Sequence, residues 1–202
     1  MKPMSMRAAP VWRLRAPEAG WLETFRREAQ GASLSYQAVG ATRNDENGPP
    51  AGFDLDHNRV QLGSGEAVWE RACAALRTWK MFPAPWTCIS AADTPIRVGE
   101  VVAMQAKAFG VWWVNACRIV YVIEKTGEAR RFGFAYGTLP AHVESGEERF
   151  SVEMNVGGEV WYDVRAFSRP RYWPVRLMKP LARRLQARFV RDSKRAMQEA
   201  VR

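Results

Sequence analysis

Between residues 87 and 168 the apolar side chains recur at every second position, and each interruption is short and carries glycine or polar residues. A side-chain period of two marks strands that keep one face in a core. The pattern predicts six strands, at 87–91, 100–107, 111–124, 130–138, 147–155 and 159–168. Their turns fall at Phe109-Gly110, at Lys125-Thr126-Gly127, over 139–146 and at Val156-Gly157-Gly158. Parallel pairing would need crossovers of a dozen or more residues, usually helical, and none of these turns is long enough. An antiparallel meander is therefore the expectation.

The flanking segments have helical spacing. Residues 1–16 read as a loose lead-in to one domain spanning 1–202. Trp21, Leu22, Phe25 and Ala29 form one face of a short helix that starts after Pro17 and stops at Gly31. Leu34, Tyr36, Ala38 and Gly40 alternate weakly, which predicts an edge strand, and 44–52 is a loop. A strand at 59–62 precedes Gly63-Ser64-Gly65, with Ser64 as the expected cap of a helix whose face is Val68, Ala72, Ala75, Leu76 and Trp79. Pro180 opens a long terminal helix reaching about 33 Å at 1.5 Å per residue. Met178, Leu185, Phe189, Ala196 and Ala200 share its apolar side, while Arg184, Arg188, Arg191 and Arg195 form a separate basic stripe. Such a helix must bury its apolar side on the concave face of a curved sheet. The fold class expected is α+β, a curved antiparallel sheet of about six to seven strands gripping the C-terminal helix. This element order resembles the helix-grip arrangement of START-like proteins and of the birch-pollen-allergen relatives.

Four blocks in combination, DHNRVQLGSGE, NACRIVYV, RFGFAYGTLPAHVESGEERFSVE and VWYDVRAFSRPR, resemble the bacterial and plant domain-of-unknown-function family 1990. The resemblance covers about residues 34–197 and implies the same START-like fold. It implies no activity, and it carries over no catalytic residue.

The net charge of +9 is unevenly spread: residues 165–202 carry +10, so residues 1–164 carry −1. Cys73, Cys88 and Cys117 are odd in number and form no CxxC pair, which speaks against disulfides or structural zinc and for a reducing compartment. The most apolar run, 108–117, is shorter than the roughly 20 residues a spanning helix needs, and no signal peptide is evident. A soluble, cytoplasmic protein is expected. GxSxG, HExxH and Walker patterns are absent from the sequence, and the glycines at 63 and 65 lack a third glycine or a following Lys-Ser/Thr.

The chemistry-bearing candidates are therefore sparse. His142 stands beside Glu144, Glu147 and Glu148, an arrangement suited to acid–base work by His142, Glu147 and Glu148, but it lacks the second His or Cys that zinc usually takes. His57 beside Asp54 and Asp56 reads as a turn, so neither a metal nor a cofactor is expected. Phe132, Phe134, Tyr136 and Thr138 share one strand face, while Gly133, Ala135 and Gly137 open the other to close approach. Arg118–Glu153 or Asp163–Arg165 pairs would either orient a polar head-group or form a surface ladder. The first expectation is a binding module rather than an enzyme, with an apolar or amphipathic small molecule in a cavity. Its predicted lining is Trp113, Asn115, Arg118, Phe134, Tyr136, His142, Phe150, Glu153, Trp161 and Phe189. The alternatives are catalysis by His142 with the nearby carboxylates, or contact of the four-arginine stripe with nucleic acid or an anionic membrane surface. Oligomeric state has no signature in the sequence.

Overall fold

The computed structural model describes residues 10–46, 48–82, 85–90, 93–172 and 179–202. The strands are β1 (Val11–Arg13), β2 (Asp54–Ser64), β3 (Thr87–Ile89), β4 (Val101–Ala108), β5 (Val111–Lys125), β6 (Arg130–Thr138), β7 (Glu144–Met154) and β8 (Glu159–Pro170). The helices are α1 (Ala19–Ala29), α2 (Glu66–Arg77) and α3 (Lys179–Ala200). All strands pair antiparallel in the order β2-β8-β7-β6-β5-β4-β3, with β1 added onto β5. The meander and the closing helix are as expected, and β1 gives part of the predicted lead-in a place in the sheet. Among the described residues, no helix is long and apolar enough to cross a membrane.

Side-chain parity decides what each face does. On the concave side Leu76, Trp79, Met81, Phe134, Phe150, Val152, Tyr162 and Met197 form the main core, packed beneath α2 and the second half of α3. There the Tyr162 and Ser193 hydroxyls pair at 2.9 Å, and Arg71 Nε donates to the Val201 carbonyl, fastening the end of α3. On the convex side Leu22, Phe25 and Ala29 of α1 pack on Val101, Ala103, Val114 and Ala116. A register shift between Ile119 and Tyr121 switches the parity of β5, so Ile119 belongs to the concave core while the Tyr121 hydroxyl meets Thr42 on the convex side.

Several local expectations give way. The residues around Tyr36 form no strand; they are a loop laid over the convex face of β6. The cap of α2 is Gly65 at φ 86°, and Ser64 makes no side-chain capping bond. β2 begins at Asp54, because Asp56, His57 and Arg59 find partners across the sheet, which lets charged residues extend a strand. β7 likewise begins at Glu144. The buried positions on α3 include Ser193 and Met197 rather than Ala196, and Met178 lies outside the described residues.

The small face of β6 receives the chain's own Tyr36. A Cβ added at Gly137 would lie 2.3 Å from Tyr36 Oη and 2.7 Å from its Cε1. Because the Tyr36 hydroxyl is tied to Glu147 at 2.7 Å, the ring has nowhere to swing. Gly137→Ala is expected to cost about 1–3 kcal/mol, the usual range for overpacking, as read from the urea midpoint. An unchanged midpoint would show that the loop yields freely.

Candidate functional site

Near the start of α3 the concave face stops being filled. Ala106 and Ala108 on β4, Gly146 on β7 and Ala166 on β8 stand where the core end carries Phe150, Val152 and Tyr162. The side chains of α3 cannot reach the sheet across such small residues. A cavity of about 470 Å³ results. Leu181, Leu185 and Phe189 of α3 form its roof, Phe82 and Trp86 one wall, and Met104, Trp113 and Val164 much of its apolar floor. The β4–β5 turn borders it through Phe109, an exposed aromatic held at φ 55° beside Gly110.

The polar groups are few and specific. Tyr136 and Glu148 are direct cross-strand neighbours, and the tyrosine hydroxyl donates to Glu148 Oε2 at 2.6 Å. Glu148 is enclosed by protein, and its residual accessibility opens onto the cavity. Burial pushes its carboxyl up to about 7, with the Glu144 and Asp56 charges adding to the shift and the Tyr136 bond opposing it. Burial and the charge of Glu148 also hold the Tyr136 phenol well above its ordinary value. His142 Nδ1 accepts the Glu144 N–H at 3.0 Å, so in the neutral ring the proton sits on Nε2. Burial, aided by nearby Arg171, pulls His142 down to about 4, so it is neutral at physiological pH. Asn115 accepts the Val143 N–H at 3.2 Å. Glu144 is raised by burial and accepts from Gln186 at 2.7 Å. Arg183 holds Asp56 through both of its terminal nitrogens.

Of the predicted lining, Trp113, Asn115, Tyr136, His142 and Phe189 border this cavity. Phe134 and Phe150 belong to the closed core beside it. Arg118, Glu153 and Trp161 fall on the convex face by strand parity. Arg118 donates to the carbonyls of Ala29 and Gln30 at the end of α1. Glu153 pairs with Arg59 and Arg131, and Trp161 lies beneath the Arg59 guanidinium. Among the described residues Glu153 pairs with Arg59 and Arg131 rather than with Arg118, and Asp163 bonds to Arg149 and His57.

The His-carboxylate cluster also divides. Glu147 borders the cavity, but its carboxylate turns away to the convex-side loop, where it accepts from Tyr36 Oη, Gly40 N, Thr42 N and Thr42 Oγ1. That leaves His142, Glu144 and Glu148 on the cavity. A second convex-side cluster escaped the sequence reading. Ligand atoms of Asp45, His57 and Asp163 lie within 4.8 Å of one another, but the Arg149 guanidinium donates to both aspartates at 2.6 Å and supplies the positive charge there. Buried Arg149 and Asp163 stand on strands whose charges read as surface, and the signal that could have found them is their shared parity with Glu147. On α3, Arg188 and Arg191 share Asp192 and Arg195 pairs with Glu199, so three of the four stripe arginines have ion-pair partners on their own helix. Arg184 is exposed.

A curved antiparallel sheet closed over a long C-terminal helix, with a chamber between them, defines a helix-grip protein. The family profile matching residues 35–196 is described as a domain of unknown function, DUF1990, and the chain belongs to that family. Its curated relatives are UPF0548 proteins. The one from Dictyostelium discoideum is 40% identical over 158 residues, covering 74% of this chain and 73% of its own. The one from Deinococcus radiodurans is 35% identical over 198 residues, covering 93% and 97%. Among solved structures, a hypothetical protein from Helicobacter pylori matches with a TM-score of 0.51 at 10% identity, over 74% of this chain and 88% of that one. Ara h 8.0201 aligns with a TM-score of 0.45 at 10% identity, over 74% and 98%.

Proposed function

We propose that this protein is a small-molecule binding module that takes an apolar or amphipathic ligand between the sheet and the first half of α3. The observation that carries this reading is the chamber itself. At about 470 Å³ it falls within the roughly 300–1,000 Å³ typical of ligand pockets. Its walls are aromatic and aliphatic, and a few anchored polar groups stand on the floor, the usual division between affinity and orientation. The small residues that create the space cost packing energy in a core that is otherwise close-packed, and a ligand would restore those contacts.

Acid–base catalysis by Glu148 is a second reading, favoured by a carboxyl poised near neutrality on the cavity floor. His142, pulled down to about 4, is poorly matched to serve as a base at neutral pH.

The binding reading is tested with Nile red, an uncharged dye that brightens in apolar surroundings. Saturable binding at one site per chain is expected. Ala106→Phe, which fills the chamber from β4, should weaken it about tenfold or more, given about 1.4 kcal/mol per decade of affinity, with the thermal midpoint held or raised. Absence of saturable binding, or binding indifferent to Ala106→Phe, would count against the cavity as the site.

A further inference from the structure

The chamber has apolar walls, and one carboxylate on it is left incompletely partnered. Asp56 is taken up by Arg183. Glu144 accepts from Gln186. Among the described residues, Glu148 receives a single hydrogen bond, from Tyr136 to Oε2, and forms no ion pair. Its Oε1 has no protein donor among the described residues.

The surroundings of Glu148 specify what is missing. From its own strand it faces Glu144, and from β2 Asp56, both acidic. From β5 it feels Cys117, from β6 Tyr136 and from β8 Tyr162, all held neutral by burial. His142, in the turn before β7, is neutral as well. From α3 come Arg183, committed to Asp56, and at the cavity border Arg191 and Lys194, neither of which bonds to Glu148; Arg191 donates to Asp192 instead. Among the described residues no cation bonds to this buried carboxylate, and a ligand bringing a second carboxylate would be repelled.

The geometry points to an amphipathic primary amine as the ligand class, with its ammonium on the Glu148 carboxylate and its hydrocarbon chain along Leu181, Leu185 and Phe189. This rests on the cavity being a binding site and adds the chemistry of the head-group. An ammonium offers three donors. One of them satisfies Oε1, while Tyr136 keeps Oε2.

Charge linkage gives the assignment a signature. In the empty protein Glu148 changes charge near pH 7. The ammonium binds the ionised form, so below that pH binding must expel a proton and the affinity falls by about tenfold per pH unit. Above it, affinity is level until the amine itself loses its charge, near pH 10 for an alkylammonium like that of lysine.

Calorimetric titration of the full chain with dodecylamine, dodecanol and dodecanoate, at about pH 6 and about pH 8, separates the outcomes. Dodecylamine should bind about tenfold or more tightly than dodecanoate at the higher pH and lose roughly tenfold at the lower, while dodecanol stays level. Glu148→Gln keeps the shape and a partner for Tyr136. It should lower dodecylamine affinity about tenfold and abolish its pH dependence, with dodecanol unaffected. Dodecanol and dodecylamine binding alike at both pH values, or dodecanoate binding best, would overturn the amine assignment while leaving the cavity reading in place. Failure of all three to bind would overturn both. The wild-type pH series decides the matter even if Glu148→Gln does not fold.

Discussion

Replacing Glu147 with alanine is expected to cost about 3–5 kcal/mol of folding stability, the range for removing one partner from a buried charged network. Glu147 is 2% exposed and lies opposite Gly137 on β6. Its carboxylate accepts from Tyr36 Oη at 2.7 Å, Gly40 N at 2.7 Å, and Thr42 N at 3.0 Å, as well as from the Thr42 hydroxyl. Because Thr42 Oγ1 donates to Glu147, the Tyr121 hydroxyl must donate to Thr42, which extends the chain of bonds to β5. Without the carboxylate, two backbone N–H groups and two hydroxyls lose their acceptor on a face where water has little access. Charged acceptors make stronger hydrogen bonds than neutral ones, so Glu147→Gln should recover only part of the loss: its oxygen still accepts, but its NH2 confronts donors. Urea denaturation gives the stability change, and hydrogen exchange gives its location. The amides of Gly40 and Thr42 should lose protection before those of β6 and β7. A loss below about 1 kcal/mol, with those amides still protected, would mean that the loop is held by other contacts.

That network shows why part of the fold was legible in the sequence and part was not. Period two is a property of each strand by itself, so the meander from β3 to β8 could be read directly. The loop around Tyr36 could not be, because its place depends on a carboxylate more than a hundred residues away. The start of β7 was lost for a related reason. Glu144 fell within the polar stretch read as a loop, whereas it has a partner, Gln186, in the folded protein. Polarity marks a loop only when the polar groups are left to water.

The candidate site was readable to the same degree. Trp113, Asn115 and Tyr136 follow from parity on β5 and β6, and they border the cavity. The same parity places Arg118, Glu153 and Trp161 on the other face, and a stricter use of it would have set them aside. No periodicity shows that Ala106, Ala108, Gly146 and Ala166 gather at one end of the sheet, because they come from three strands whose register is a property of the fold. Nor does any local pattern show that Glu148 is pushed to about 7, since Asp56, which adds to that shift, comes from β2.

Arg149→Met should lose about 3–5 kcal/mol, and a second substitution, Asp163→Leu, should restore much of it. Arg149 is fully buried, and its terminal nitrogens donate to Asp45 and Asp163 at 2.6 Å and to the Thr42 carbonyl at 2.7 Å. Its Nε has no hydrogen-bond partner among the described residues, so the ion pair repays its desolvation incompletely. Removing the arginine alone strands Asp163, itself 2% exposed, with His57 as its remaining hydrogen-bond partner among the described residues. Removing both charges lets apolar side chains fill the space, while His57 is half-exposed and can turn to water. The double variant should therefore lose less than the sum of the two single losses, by about 2 kcal/mol or more of coupling. Thr42 adds a further constraint, because it bonds to Glu147 through its N–H and hydroxyl and to Arg149 through its carbonyl. Glu147→Ala and Arg149→Met share that residue, so their effects should also fall short of additivity. All of these changes lie on the convex face, so Nile red binding in the folded fraction should survive them. Strict additivity of Arg149→Met with Asp163→Leu would show that the two charges are stabilised independently, and loss of dye binding in folded Arg149→Met would show that the two faces are coupled.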